Sequence, residues 1–220
     1  MKFLATATAL AGIAAAAPAA KLVPRQILTR NELESGSSSN CPDVILVYAR
    51  GSIESGNMGT LGPPLADALE SEYGASNVWI QGVGGAYEAL LSTNVLPRFT
   101  TQEAIDEAHN HFKDAQSKCP DAAIVAGGYS QGSAVIVGAI EDASSSLKAQ
   151  IKGTVLFGYT QNQQNDGGIP GYPSENVEVF CAVGDLVCTG TLVVTAAHLT
   201  YSDEAGDEAP EFLIGRINAS

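Results

Sequence analysis

Five short runs of apolar, mostly β-branched residues are the feature that most restricts the fold of this chain. They occupy residues 43–48, 78–83, 122–126, 153–157 and 177–181. Each run is almost continuously apolar, which is typical of strands that are buried on both faces. Stretches with helical character lie between them, and this alternation predicts an α/β fold with one mainly parallel five-stranded sheet and helices on both of its faces.

The clearest helical pattern covers residues 101–117, where apolar residues recur at the three- and four-residue spacing of an amphipathic helix. Thr100 and Glu103 are expected to form a capping box at its start. His109 and His111 lie on either side of its apolar stripe, so we expect them to be solvated or boundary residues that share no ligand. Further helices are predicted over residues 63–73, 131–146 and 210–218.

The N-terminal region is not expected to belong to the folded domain. Residues 1–17 combine a lysine at position 2 with an apolar run that ends in small residues, the pattern of a secretory signal peptide. This run is shorter than the roughly 20 residues that a membrane-spanning helix needs. Residues 18–40 are polar and serine-rich, which predicts a propeptide or a disordered leader. Residues 41–220 are predicted to form a single domain of a secreted, extracellular protein.

Acidic residues dominate the exported part of the chain. From residue 31 onward, 24 acidic and seven basic residues give a net charge of −17. Such a surface repels phosphate backbones, which excludes nucleic acid as a partner. The same region has no heptad pattern, so a monomer is expected.

Four cysteines, Cys41, Cys119, Cys181 and Cys188, lie in the exported part. An even number in an oxidising compartment favours two disulfides, and the spacing alone permits three pairings. The six residues between Cys181 and Cys188 suit a local loop closure, which would leave Cys41 for Cys119. With no Cys-x-x-Cys pair and no close His/Cys cluster in the sequence, no metal or other cofactor is predicted.

The motif GYSQG at residues 128–132 lies between a predicted strand and a predicted helix. In this context a Gly-x-Ser-x-Gly motif indicates a nucleophile elbow. Glycine is needed at both flanking positions because a side chain two residues from the serine would strike the neighbouring strand or helix. Ser130 is therefore the predicted nucleophile, held above the sheet at the start of a helix.

A serine hydroxyl needs a base to take its proton, and imidazole is the usual one. His198 follows both Ser130 and the last predicted strand, as the chain order serine, acid, histidine requires. Asp185 is the preferred acid because it follows the last strand, inside the loop that a bond between Cys181 and Cys188 would close. The other carboxylates in the permitted interval are Glu141, Asp142, Asp166, Glu175 and Glu178.

The tetrahedral intermediate of acyl transfer needs hydrogen-bond donors for its oxyanion. Gln131 follows the nucleophile and would supply one backbone amide. The second donor is expected from the loop that leaves the first strand, where Ser52 offers both an amide and a hydroxyl. Without further comparison, an ordinary turn serine is an equally good interpretation of Ser52.

From about Cys41 to the C-terminus the chain resembles the fungal cutinases. The matching stretches are ARGSIESGN at 49–57, WIQGVGGAY at 79–87, AGGYSQG at 126–132, GTVLFGYT at 153–160, GDLVCTG at 184–190 and AHLTY at 197–201. The resemblance implies a small α/β-hydrolase without a lid domain. It also implies a serine esterase that hydrolyses the plant polyester cutin and soluble short-chain esters through an acyl-serine.

The resemblance further implies roles for individual residues. It supports Ser130, Asp185 and His198 as a catalytic triad, Ser52 and Gln131 as an oxyanion hole, and disulfides that pair Cys41 with Cys119 and Cys181 with Cys188. Apolar loops that border the family's cleft correspond here to Leu90, Leu91 and Val95 on one side and Leu192, Val193 and Val194 on the other. Among these, Leu91, Leu192 and Val194 are the predicted substrate-binding residues.

Two other classes of function remain open at this level. Another secreted ester hydrolase, such as an acetylxylan esterase, would share the fold and the triad. A non-catalytic surface-binding protein would also retain the scaffold, but it would be expected to lack a triad member.

Overall fold

The computed structural model describes residues 27–219, and the predicted signal peptide at residues 1–17 lies outside them. Five strands form one sheet in the order β2-β1-β3-β4-β5, and every pairing is parallel. The strands are β1 Val44–Ala49, β2 Val78–Gly82, β3 Ala123–Tyr129, β4 Ile151–Phe157 and β5 Val177–Phe180. The predicted five-stranded α/β fold is thus confirmed.

Helices cover both faces of the sheet. They are α1 Glu32–Ser35, α2 Gly62–Tyr73, α3 Gln102–Lys118, α4 Gln131–Glu141, α5 Ser145–Gln150, α6 Ser202–Gly206 and α7 Glu208–Asn218. Along β1, Ile45 and Val47 pack with α3 and α4, whereas Leu46 and Tyr48 pack with α2 and α7. Successive side chains of a strand point to opposite faces of the sheet, so alternate residues of β1 pack into two separate cores. Within residues 27–219, no helix is long and apolar enough to cross a membrane.

The strand order reverses between β1 and β3. The chain leaves β1 toward β2 on one side and leaves β3 toward β4 on the other. The loops after these two strands therefore diverge, and a crevice opens at their carboxyl ends, which is where α/β proteins bind their ligands.

Two local predictions for the helices were wrong. The predicted helix over residues 131–146 ends at Glu141, because Ser144 starts a new helix by accepting a hydrogen bond from the amide of Leu147 at 3.3 Å. Thr101, and not Thr100, caps α3, since its hydroxyl accepts a hydrogen bond from the amide of Ala104 at 3.2 Å. Both differences reflect which hydroxyl faces a free helix amide.

His111 also differs from its prediction. Only 5% of the residue is exposed, so it is buried and not solvated. Burial lowers the pKa of His111, against the opposing effect of Glu107 and Glu34, and its imidazole is therefore neutral at neutral pH. His109 is half-buried, with Nδ1 3.1 Å from the carbonyl oxygen of Ala139.

Residues 27–40 are ordered and packed against the domain, which corrects the expectation of a disordered leader for this part of the segment. Leu33 of α1 is fully buried. Arg30 forms ion pairs with Glu32 and with Glu70 of α2, and its carbonyl oxygen accepts a hydrogen bond from the amide of Gly82 at 2.9 Å. The polar composition concealed one buried leucine and an arginine that pairs with a glutamate forty positions away.

Two disulfides cross-link the structure. Cys41 pairs with Cys119, which ties the start of β1 to the end of α3 across 78 residues. Cys181 pairs with Cys188 across seven residues and closes the loop that follows β5. Both pairings agree with those that the family resemblance implies.

Candidate active site

Ser130 lies at the sharp turn between β3 and α4. Its backbone has φ 53° and ψ −120°, a strained conformation for a residue with a side chain. A Cβ atom added at Gly132 would lie 2.1 Å from the carbonyl oxygen of Ala49, and one at Gly128 would lie 2.6 Å from the carbonyl oxygen of Gly132. The close approach of backbone on both sides of Ser130 therefore requires these two glycines, as the elbow motif predicts.

Asp185 and His198 meet at the same end of the sheet. Asp185 lies in the loop closed by Cys181 and Cys188, and His198 lies in a short 3-10 helix, Ala196–Leu199. Nδ1 of His198 donates a hydrogen bond to Oδ2 of Asp185 at 2.8 Å. Both residues are buried, with 3% and 2% exposed. In the neutral imidazole this bond places the proton on Nδ1, so the lone pair lies on the other nitrogen, Nε2.

Nε2 of His198 is available as a base. It is buried and has no hydrogen-bond partner among residues 27–219. Ser130 and His198 line the same cleft. A nitrogen with a free lone pair, in the cleft that also holds the elbow serine, can act as a general base, and the hydrogen bond between such a pair often forms only when substrate binds.

Tyr201 and Tyr129 hold this pair in place. The hydroxyl of Tyr201 donates a hydrogen bond to Oδ2 of Asp185. Burial raises the pKa of Tyr201 far above its ordinary value, and hydrogen bonding to Asp185 adds to the effect, so the phenol remains a donor. Tyr129 stacks on the His198 ring, with centroids 5.1 Å apart, and donates to the carbonyl oxygen of His198 at 2.7 Å.

Ser52 and Gln131, the two residues predicted to form an oxyanion hole, are linked through a third side chain. Ser52 follows β1, and Gln131 is the first residue of α4. Asn94 connects them: its Oδ1 accepts a hydrogen bond from Nε2 of Gln131 at 2.8 Å, and its Nδ2 donates one to Oγ of Ser52 at 3.0 Å. Because Ser52 Oγ accepts this bond, its hydroxyl proton is free to point into the cleft.

The cleft has a volume of about 500 Å³, within the range of small-molecule sites. Its walls are mainly apolar and include Ile53, Leu91, Leu192, Val194 and Leu199. Each of these side chains is exposed, from 45% for Leu192 to 77% for Ile53. We call these five residues the apolar rim. Ile53 and Leu199 were not among the substrate-binding residues predicted from the sequence.

Gly158 is a further residue that the sequence reasoning missed. It follows β4 with φ 52°, and a Cβ atom there would lie 2.5 Å from Cε1 of His198. Its position directly after an apolar strand was the available signal, because a glycine at the carboxyl end of a parallel strand often allows a close approach. Asn94 and Tyr201 carry no such local signal.

A five-stranded parallel sheet with a serine elbow after β3 and a histidine–aspartate pair on later loops defines the class of this protein, an α/β-hydrolase. The Cutinase family model matches residues 40–217, and the chain therefore belongs to the cutinase family. It is a carboxylic ester hydrolase.

Known proteins agree with this assignment. A cutinase of Fusarium solani subsp. cucurbitae is 54% identical over 225 residues, which cover 100% of this chain and 98% of the relative. The structure of Trichoderma reesei cutinase in complex with a phosphonate inhibitor is 29% identical, with a TM-score of 0.72 over 87% of this chain and 81% of that one. An acetylxylan esterase structure, 18% identical with a TM-score of 0.67 over 80% of this chain and 99% of that one, shares the fold.

Proposed function

We propose that this protein is a secreted serine esterase whose catalytic residues are Ser130, His198 and Asp185. The observation that carries the proposal is the 2.8 Å hydrogen bond between buried His198 and Asp185, with the free Nε2 beside the cleft of the elbow serine. A buried carboxylate stabilises the imidazolium that forms when Nε2 takes a proton.

Acylation begins when Oγ of Ser130 attacks the ester carbonyl carbon and its proton passes to Nε2 of His198. The tetrahedral intermediate then collapses, and His198 returns the proton to the departing alcohol. In deacylation, His198 takes a proton from water, and the hydroxide attacks the acyl carbon. The proton goes back to Oγ of Ser130, and the carboxylic acid leaves.

The oxyanion of each intermediate is bound by the backbone amides of Ser52 and Gln131 and by the Ser52 hydroxyl. Asn94 supports the proposal because one side chain holds both residues by hydrogen bonds of 2.8 and 3.0 Å. Hydrogen-bond donors that are fixed before the reaction stabilise the transition state more than mobile ones, since they need no reorganisation as charge develops.

The apolar rim suits a water-insoluble polyester. We assign cutin as the polymer and short-chain esters as soluble substrates, because an exposed apolar border adsorbs acyl chains at an open cleft. The two disulfides are typical of an exported protein, which fits a signal peptide at residues 1–17. We further propose that the enzyme acts as a monomer and needs no cofactor for its reaction.

The experiment is the Ser130→Ala variant, with Ser117→Ala on the exposed face of α3 as its control. We expect Ser130→Ala to lower hydrolysis of p-nitrophenyl butyrate by on the order of a million-fold, to remain folded by circular dichroism, and to resist labelling by a serine-directed organophosphate. Ser117→Ala should behave like the parent. Unchanged turnover of Ser130→Ala would disprove the triad, and release of acetate from acetylated xylan in preference to cutin monomers would disprove the substrate.

A further inference from the structure

Three side chains of metal-ligating type meet outside the cleft, where α1 packs against α3. Nε2 of His111 lies 3.8 Å from Oε1 of Glu107 and 4.0 Å from Oε1 of Glu34, and the three ligand atoms all lie within 4.8 Å of one another. We call these residues the His111 cluster. It shares no residue with the cleft.

Nε2 of His111 needs a partner that the protein does not give it. Only 5% of the residue is exposed, and Nε2 has no hydrogen-bond partner within residues 27–219. A buried polar atom without a partner costs roughly 1–3 kcal/mol. Both neighbouring carboxylates stand too far away for a hydrogen bond, yet they point at the same space.

Neighbouring residues hold the cluster together. Glu107 and His111 are one turn apart on α3, so they project from the same face of the helix. Nζ of Lys118 donates a hydrogen bond of 2.6 Å to the carbonyl oxygen of Leu33, which keeps α1 and its Glu34 against α3. On the opposite side, a Cβ atom at Gly85 would lie 2.4 Å from Oε1 of Glu107, so the glycine makes room for that carboxylate.

We propose that Glu34, Glu107 and His111 form a structural site for a divalent transition metal, with zinc as its preferred ion. One imidazole and two carboxylates are ligands that zinc accepts, and water completes a tetrahedral shell. Calcium and magnesium prefer all-oxygen shells, so the imidazole disfavours them.

Small movements are enough to bring the ligands to zinc. Zinc bonds of about 2.0–2.1 Å in a tetrahedron place ligand atoms roughly 3.3 Å apart, whereas Nε2 of His111 now lies 3.8 and 4.0 Å from the two carboxylates. The side chain of Glu34 is 51% exposed, so it can rotate inward and also gives the ion a path from solvent. Bound metal would join the segment before Cys41 to α3 by a second link besides the disulfide.

The test is a thermal melt of the chelator-treated secreted protein with and without zinc chloride. At a zinc concentration roughly 100-fold above Kd, we expect the Tm to rise by about 5 °C or more, while calcium and magnesium leave it unchanged. Glu34→Gln and Glu107→Gln should each weaken zinc affinity, measured by calorimetry, at least tenfold. Glu103→Gln, an exposed carboxylate on the same helix, is the matched control and should bind zinc like the parent.

Cobalt gives an independent readout. A four-coordinate Co²⁺ site absorbs visible light, and we expect this absorption in the parent and in Glu103→Gln but not in Glu34→Gln. Ser130→Ala should retain the zinc-dependent rise in Tm, which separates this inference from the proposed function. The metal site is disproved if zinc does not raise the Tm of the parent, or if zinc raises the Tm of Glu34→Gln by the same amount. A mature chain that begins after Glu34 would also disprove it.

Discussion

Asn94 donates a hydrogen bond of 3.0 Å to Oγ of Ser52. The same side chain accepts one of 2.8 Å from Gln131. Ser52 follows β1 and Gln131 begins the helix that follows β3, so Asn94 links side chains from two separate parts of the fold. Asn94 thus helps to position the proposed oxyanion hole through hydrogen bonds to the side chains of both residues.

Replacing Asn94 by alanine should therefore lower kcat more than it raises KM. We expect kcat for p-nitrophenyl butyrate to fall roughly tenfold to a hundredfold, less than the hundredfold to thousandfold typical for loss of an oxyanion donor. Asn110→Ala, an exposed asparagine on α3, is the control. A rise in KM at constant kcat would contradict a role in transition-state stabilisation.

Gly158→Ala tests the packing beneath the histidine. The backbone has φ 52°, and the new Cβ would lie 2.5 Å from Cε1 of His198, so the ring must move. Displacements of about 1 Å can cost a hundredfold in rate, and we expect at least this loss in kcat. In Gly215→Ala on α7, the new Cβ would lie more than 4 Å from every atom of residues 27–219 outside its own helix turn, so kcat should not change. Full activity of Gly158→Ala would show that the ring tolerates displacement.

The two disulfides should differ in their effects. Loop-closure entropy assigns about 4.5 kcal/mol to Cys41–Cys119 and about 2.5 kcal/mol to the much shorter Cys181–Cys188 loop. Paired alanine substitutions at Cys41 and Cys119 should therefore lower the free energy of unfolding more, as measured by denaturant titration. Substitutions at Cys181 and Cys188 should lower kcat more, because that loop carries Asp185. The reverse ranking of kcat would contradict a positioning role for the short loop.

Leu192→Gln tests the apolar rim. The side chain lines the cleft and is 45% exposed, so its replacement removes apolar contact without opening a core cavity. We expect the release of cutin monomers to fall about tenfold, since burying a leucine on a ligand is worth about 1.5 kcal/mol or more. Hydrolysis of p-nitrophenyl acetate should hardly change. Equal losses on both substrates would point to a disturbed active site instead.

The sheet and the elbow could be predicted because their signals are local. Each strand is a continuous apolar run, and the two glycines around Ser130 reflect backbone contacts within one turn. The pairing of Asp185 with His198 followed from chain order and loop position. The residues themselves are thirteen positions apart and meet through a 2.8 Å hydrogen bond.

Residues whose roles depend on distant parts of the chain escaped prediction. Arg30 pairs with Glu70, forty positions away, and Asn94 contacts Ser52 across 42 positions. His111 was expected to be a solvated or boundary residue because it lies beside the apolar stripe of its helix, whereas Glu34 of α1 lies 4.0 Å from its Nε2 in the folded protein. Such contacts form only after the sheet has brought separate loops together, and no spacing in the sequence records them.

The packing of residues 27–40 has a consequence for how the chain behaves in concentrated solution. Asn31 pairs with Gln81 in an antiparallel bridge, and the amide of Gly82 bonds to Arg30. These contacts occupy backbone groups of β2, which is the last strand on its side of the sheet. A protease that trimmed this segment would uncover hydrogen-bonding groups that can template strand addition by another molecule. The segment thus covers part of this sheet edge and keeps those groups from pairing with a second molecule.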